Sequence, residues 1–140
     1  MTLSLNEYYY LMYKPALVSG SLLAMLAVIF GAFGAHYLKT IFTPELLSSY
    51  ETGVRYQFYH AFALLFVGLY AQSQSGKLIR MVFLCFLIGV LLFSGSIYLL
   101  CFLKSADIIG LSGLGILTPI GGVCMISGWL MLLITVLKGK

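Results

Sequence analysis

Residues 81–103 read MVFLCFLIGVLLFSGSIYLLCFL, an apolar run without a single charged side chain. A bilayer hydrocarbon core about 30 Å thick takes roughly 20 such residues as a helix, at about 1.5 Å each. In that medium every backbone N–H and C=O has to be satisfied within the segment, so the run reads as a transmembrane helix. Three more runs meet or approach the same length, at about 15–38, 56–72 and 118–137. The expected fold is therefore all-α: one multi-pass, integral membrane four-helix bundle over residues 1–140, with helices at about 15–38, 56–72, 81–103 and 118–137. The second run is the shortest and is expected to begin as helix in the interface before it descends.

Composition points the same way. Hydrophobic residues make up 61% of the chain and charged residues 9%, where soluble domains carry about 25% charged residues. The mean hydropathy is +1.05. The net charge of +4 comes from basic residues standing singly between apolar runs, with no stripe or cluster. That pattern excludes nucleic acid as a partner and points to orientation in a membrane. Cys85, Cys101 and Cys124 all lie inside apolar runs without CxxC or Cys/His ligand spacing, and read as reduced core residues. The opening MTLSLNEYYYLMYK lacks the early positive charge and immediate apolar core of a cleavable signal peptide. Ser4 and Glu7 have capping-box spacing, which suggests a short interfacial helix, and the YYYLMY run suits the headgroup region.

Lys14, Lys77, Arg80, Lys138 and Lys140 flank the runs on one side, five in all, against Lys39, Arg55 and Lys104 on the other, three in all. The more basic side is expected to be cytoplasmic. Both termini then lie in the cytoplasm, and loops one and three outside. In loop one, Thr43-Pro44-Glu45 has the form of a helix start, with Thr as N-cap, Pro at the first helical position and an acid in the first turn. Leu46, Leu47, Tyr50 and Val54 follow at helical spacing. They predict either a short interfacial helix between helices one and two or an amphipathic lead-in to helix two. Loop three, KSADIIGLSGLGIL, is apolar and glycine-rich, and reads as a cap over the bundle or a shallow re-entrant turn.

Helices in lipid associate through close approach at small residues. Gly20, Ala24, Ala27, Gly31 and Ala35 recur at steps of three or four on helix one, Gly89, Ser94 and Gly95 lie on helix three, and Gly121, Gly122, Ser127 and Gly128 on helix four. These faces serve packing within the chain or association with a second copy. Polar residues gather toward the expected outer half: His36, Glu51, Arg55, Gln57, His60, Ser94, Tyr98 and Thr118. Ionisable groups in membrane segments are costly and usually face the bundle interior or water, so these eight form a candidate polar pocket. Glu51 and Arg55 have the favourable i,i+4 order, with headgroup snorkelling as the bland alternative. Two histidines raise bis-imidazole ligation of haem or metal, but no further acid or thiol stands ready to complete a shell, and no cofactor or metal is expected. A Ser-His-Asp arrangement or paired carboxylates are likewise lacking, so no enzyme is expected.

GAFGAH at 31–36, ETGVRYQFYHAFALL at 51–65, LFSGSIYLL at 92–100 and TPIGG at 118–122 followed by Gly128-Trp129 together resemble the domain-of-unknown-function 423 family, to which eukaryotic transmembrane protein 256 belongs. The resemblance covers all four helices, about residues 15–137. Tyr37 stands where a Gly is common after the His, and the aromatic N-terminal extension looks particular to this chain. The resemblance implies a four-helix inner-membrane protein and supplies no reaction. The expected function is accessory or binding: a protein that holds a lipid, a quinone-like molecule or a partner membrane subunit at its outer-half polar pocket. The alternative is a small transporter or channel acting as an oligomer, which would need polar residues in both halves. The expected partners are membrane lipids and a membrane-protein partner or second copy. For topology, a cysteine introduced at Ser112 should react with a membrane-impermeant maleimide added outside the cell; reaction only from the cytoplasmic side would invert the orientation.

Overall fold

The computed structural model describes residues 13–71, 76–108 and 113–138. It contains four long helices: α1 (Lys14–His36), α2 (Pro44–Tyr70), α3 (Lys77–Ser105) and α4 (Leu117–Lys138), with short 3₁₀ turns at Leu38–Thr40 and Leu114–Ile116. The close backbone approaches follow chain order: α1 on α2, α2 on α3, and α3 on α4. The Ser4–Glu7 cap, the tyrosine run before Tyr13 and residues 109–112 of loop three lie outside the described residues.

Three of the expected helices fall close to their sequence bounds, and the second does not. The predicted short interfacial helix is the first part of α2, which runs unbroken for 27 residues. Its start is as read: Thr43 is the N-cap, accepting from Leu46 N–H at 3.4 Å, and Pro44 opens the helix. Nothing then breaks it. Proline is lacking after Pro44, and the polar residues of the early turns bond back to carbonyls four residues earlier, Ser49 to Glu45 and Thr52 to Ser48. At the far end of α3 the chain turns through Asp107, the sole non-glycine among the described residues with positive φ, at 54°. Aspartate tolerates that conformation because its short side chain can bond locally.

Large apolar side chains point outward along the helices, among them Val18, Ile126 and Leu137, the last 75% exposed. A contiguous apolar exterior of this kind is a surface for lipid rather than water. The helices starting at Lys14, Lys77 and Leu114, the first and last counted with their 3₁₀ turns, are long and apolar enough to cross a membrane. α2 carries more polar residues, yet it packs along both α1 and α3. Its Gly68 carbonyl accepts from Tyr13 N–H at 3.1 Å at one end, and its Leu46 carbonyl lies 3.5 Å from Cys101 Sγ at the other.

The interior has two parts. A larger cluster joins all four helices through residues such as Leu23, Leu64, Val67, Phe86, Val90 and Met125. A smaller one, Leu38, Phe42, Tyr50 and Cys101, closes the end where α1 gives way to α2. Of the small residues read as packing positions, Gly20 and Gly121 lie at close backbone approaches and Ala27 is buried. A Cβ on Gly121 would stand 2.5 Å from Phe93 N and 2.9 Å from Gly89 O, and one on Gly20 would stand 2.8 Å from Ala61 O. Ala24 is half-buried against the larger cluster. Four of the predicted packing residues do less. Gly31 and Gly122 are half-buried, and a Cβ there would make ordinary contacts at 3.5 and 3.9 Å. Ala35 is exposed because Gly34 faces α2, and the next residue lies about 100° round the helix. Gly95 is also exposed, with nothing within 4 Å of a Cβ, since the neighbouring Ser94 and Ser96 take the buried positions.

Gly121→Ala should therefore lower the melting temperature in detergent, overpacking a tight seam at about 1–3 kcal/mol. Gly95→Ala should leave it unchanged or slightly higher, since alanine favours helix by about 0.8–1 kcal/mol over glycine. Equal effects of the two substitutions would show that the α3–α4 seam is not set by backbone approach.

Candidate functional site

Between the two hydrophobic clusters lies a layer of paired polar groups. Gln57, the middle residue of α2, donates through Nε2 to the Leu23 carbonyl of α1 at 2.9 Å and accepts at Oε1 from the Tyr98 hydroxyl of α3 at 2.9 Å. Ser94 donates to the Gly53 carbonyl at 2.8 Å. That approach leaves α2 no room for a side chain at 53, where a Cβ would stand 2.8 Å from the Tyr98 ring. Between α3 and α4, the Ser96 and Thr118 hydroxyls lie 2.6 Å apart.

His60 sits one turn past Gln57 on α2. It is buried. Its Nδ1 is 2.8 Å from the Tyr56 carbonyl, and its Nε2 is 3.2 Å from the indole nitrogen of Trp129 on α4. A carbonyl only accepts and an indole N–H only donates, so the two partners dictate the neutral tautomer with the proton on Nδ1. Phe86 packs edge-on to both rings, with centroids at 5.5 Å from His60 and 5.0 Å from Trp129.

The eight expected pocket residues thus separate. Gln57, Ser94 and Tyr98 come together between α2 and α3, with Gln57 also bonded to the α1 backbone, Thr118 pairs with Ser96, and His60 belongs to a separate aromatic group. His36 is exposed at the end of α1 and does not join them. Glu51 and Arg55 are exposed as well, and no ion pair links them; Arg55 Nη2 instead donates to Thr52 at 3.0 Å. Every buried side-chain nitrogen or oxygen among the described residues has a partner. The buried polar residues therefore key the helices together and leave no open donor or acceptor at the centre.

Open space lies elsewhere. A cleft of about 220 Å³ opens between α1 and α3 over Tyr50, lined by Ile29, Phe30, Phe33, Tyr50, Tyr98 and Phe102. Its surface is hydrocarbon, because both tyrosine hydroxyls are committed: Tyr50 donates to the Phe30 carbonyl at 3.1 Å and Tyr98 to Gln57. Phe30 and Tyr98 meet edge to face at 5.2 Å across it. A second groove of about 170 Å³ lies between α1 and α2, lined by Gly31, Gly34, Tyr50, Glu51, Val54 and Arg55. Of these lining residues, Tyr98, Glu51 and Arg55 belong to the expected pocket. Sequence reasoning missed the aromatic lining because it followed polar residues alone, and it passed over Trp129, whose spacing gave no sign of a histidine partner.

A family model described as protein of unknown function (DUF423) matches residues 30–122. The chain belongs to that family. Among its relatives is a UPF0382 membrane protein of Staphylococcus aureus (strain bovine RF122 / ET3-1), 40% identical over 125 residues, which cover 89% of this chain and 97% of the relative. UPF0382 membrane protein YwdK of Bacillus subtilis is 38% identical over 127 residues, covering 89% and 98%. A UPF0382 membrane protein of Haemophilus influenzae is 41% identical over 113 residues, covering 81% and 86%. No solved structure matches. The family match takes in the cleft's lining other than Ile29 and the Gln57–Tyr98 pair, and stops short of Leu23 at one end and Trp129 at the other.

Gln57→Leu should destabilise the protein by about 1–3 kcal/mol, because it leaves the Tyr98 hydroxyl buried without an acceptor. Adding Tyr98→Phe should restore part of that loss. A double-mutant cycle in which the two effects simply add would show that this bond does not couple α2 to α3.

Proposed function

We propose that this membrane protein is a non-enzymatic binding or accessory protein of the inner membrane, with both termini cytoplasmic, and that it seats an apolar chain from a lipid-like ligand in the Phe30–Tyr98 cleft. The observation that carries this reading is the cleft's chemistry: it is concave and aromatic, and its tyrosine hydroxyls are spent on the protein. Recognition there rests on shape and apolar contact. Its size favours a chain over a whole cofactor, since sites for drug-sized molecules occupy roughly 300–1,000 Å³, against about 220 Å³ here. A quinone ring would also find no hydrogen-bond donor for its carbonyls, so the tail of such a molecule fits better than its head. A transport pathway would need polar groups free to hand a solute along, and those of the central layer bond to one another or to backbone.

Native mass spectrometry of the gently solubilised full chain tests the reading. Wild type should carry a co-purifying lipid-like mass, and Ile29→Trp, which fills the cleft, should lose it with the melting temperature preserved. Val28→Trp, on the exposed face beside it, should keep it. Equal retention by all three proteins would remove the cleft as the site.

A further inference from the structure

The second groove has a different chemistry. Glu51 and Arg55 stand four residues apart on its α2 wall, about 6 Å along the helix axis. At that spacing opposite charges commonly pair, yet here they do not. The single bond Arg55 makes, to Thr52, carries its guanidinium toward the start of α2, the direction in which helical Cα–Cβ bonds tilt. The charged group thereby lies toward the level of Tyr50 and Gly34, in the last turn of α1 and near one end of the apolar span Lys14–Thr40. Arginine has five N–H donors, of which one is used within the described residues. Glu51 has no partner among them. On the α1 side the groove is lined by Gly31 and Gly34, so no side chain fills it.

We propose that this groove binds the zwitterionic headgroup of an aminophospholipid, with Arg55 on the phosphate and Glu51 on the primary ammonium. The spare guanidinium donors match phosphate oxygens in a forked arrangement. The carboxylate beside it repels a purely anionic headgroup and attracts a cationic one. A primary ammonium offers N–H donors to that carboxylate, and the quaternary ammonium of choline offers none. The headgroup's two charges meet two complementary ones on a single helix face. This goes beyond the chain-binding reading: the grooves share Tyr50, but a headgroup preference is read out whether or not the aromatic cleft holds a chain.

The test is native mass spectrometry of the full chain in micelles with equimolar dioleoyl phosphatidylethanolamine, phosphatidylcholine and phosphatidylglycerol. Wild type should retain phosphatidylethanolamine in preference to both others. Glu51→Gln should abolish its advantage over phosphatidylcholine while phospholipid binding persists. Arg55→Gln should weaken retention of all three about tenfold or more, as loss of a hydrogen bond to a charged group does. Both residues are exposed, so both variants should fold. Glycerophosphoethanolamine, which has the headgroup without chains, should compete poorly; competition equal to the lipid's would make the ligand a soluble phosphoester and overturn the proposal. A preference unchanged by Glu51→Gln, or strongest for phosphatidylglycerol, would also overturn it. So would a dimer that both variants dissociate without altering lipid retention, since Glu51 and Arg55 would then pair with a second copy of the chain.

Discussion

An amide held between two helices is the constraint on which this structure turns. Gln57 occupies the middle of α2, buried among apolar side chains, where an unsatisfied donor or acceptor would cost about 1–3 kcal/mol. Its two ends are met from opposite sides, by a backbone carbonyl of α1 and a hydroxyl of α3. Sliding either helix by one residue moves the partner by about 1.5 Å and breaks the match. Apolar packing in lipid is poorly selective about register, because tails and side chains are alike. Here the amide supplies the register, and the glycines at 20 and 53 let α1 and α3 come close enough to α2 for it to matter.

The clefts follow from that arrangement. Once Tyr98 is drawn to Gln57 and Tyr50 to the Phe30 carbonyl, both rings lie with their hydroxyls turned inward. Their hydrocarbon faces are left to line the gap between α1 and α3. The same tyrosine at 50 packs against Gly34 and bounds the charged groove on α1's other side. The interior is thus fully paired among the described residues, and the open spaces lie at its edges, one lined by aromatic rings and one by two charged side chains.

Much of the fold was legible in the sequence. Uninterrupted apolar runs located α1, α3 and α4 to within a few residues, and Thr43-Pro44-Glu45 marked the true start of α2. Between a separate interfacial helix and a lead-in to helix two the sequence left the choice open, and the structure has the lead-in, one unbroken helix. Hydropathy scores polar residues such as Ser49 and Thr52 against a membrane, while the helix satisfies them by bonds to its own carbonyls. Which polar residues would meet was less legible. Gln57, Ser94 and Tyr98 shared an expected level and did come together, whereas Glu51, Arg55 and His36 shared it and face outward. Depth can be counted along a run, but azimuth depends on which helix lies beside which, and the spacing of a single helix does not disclose that. Trp129 shows the same limit: its role exists only because α4 brings it alongside His60.

α2 is the least apolar of the four helices, and it is absent from those able to cross a membrane by length and composition alone. Its most polar interior groups, Gln57 and His60, find partners on α1, α3 and α4, apart from the bond of His60 to the Tyr56 carbonyl of α2 itself. Alone in a bilayer it would expose an amide and an imidazole to hydrocarbon, a penalty that falls when neighbours supply partners. Membrane insertion of this segment is thereby tied to the presence of its companions. α1, antiparallel to it across a short turn, offers the Leu23 carbonyl, so the first hairpin satisfies one end of the amide and the other end waits on the hydroxyl of α3.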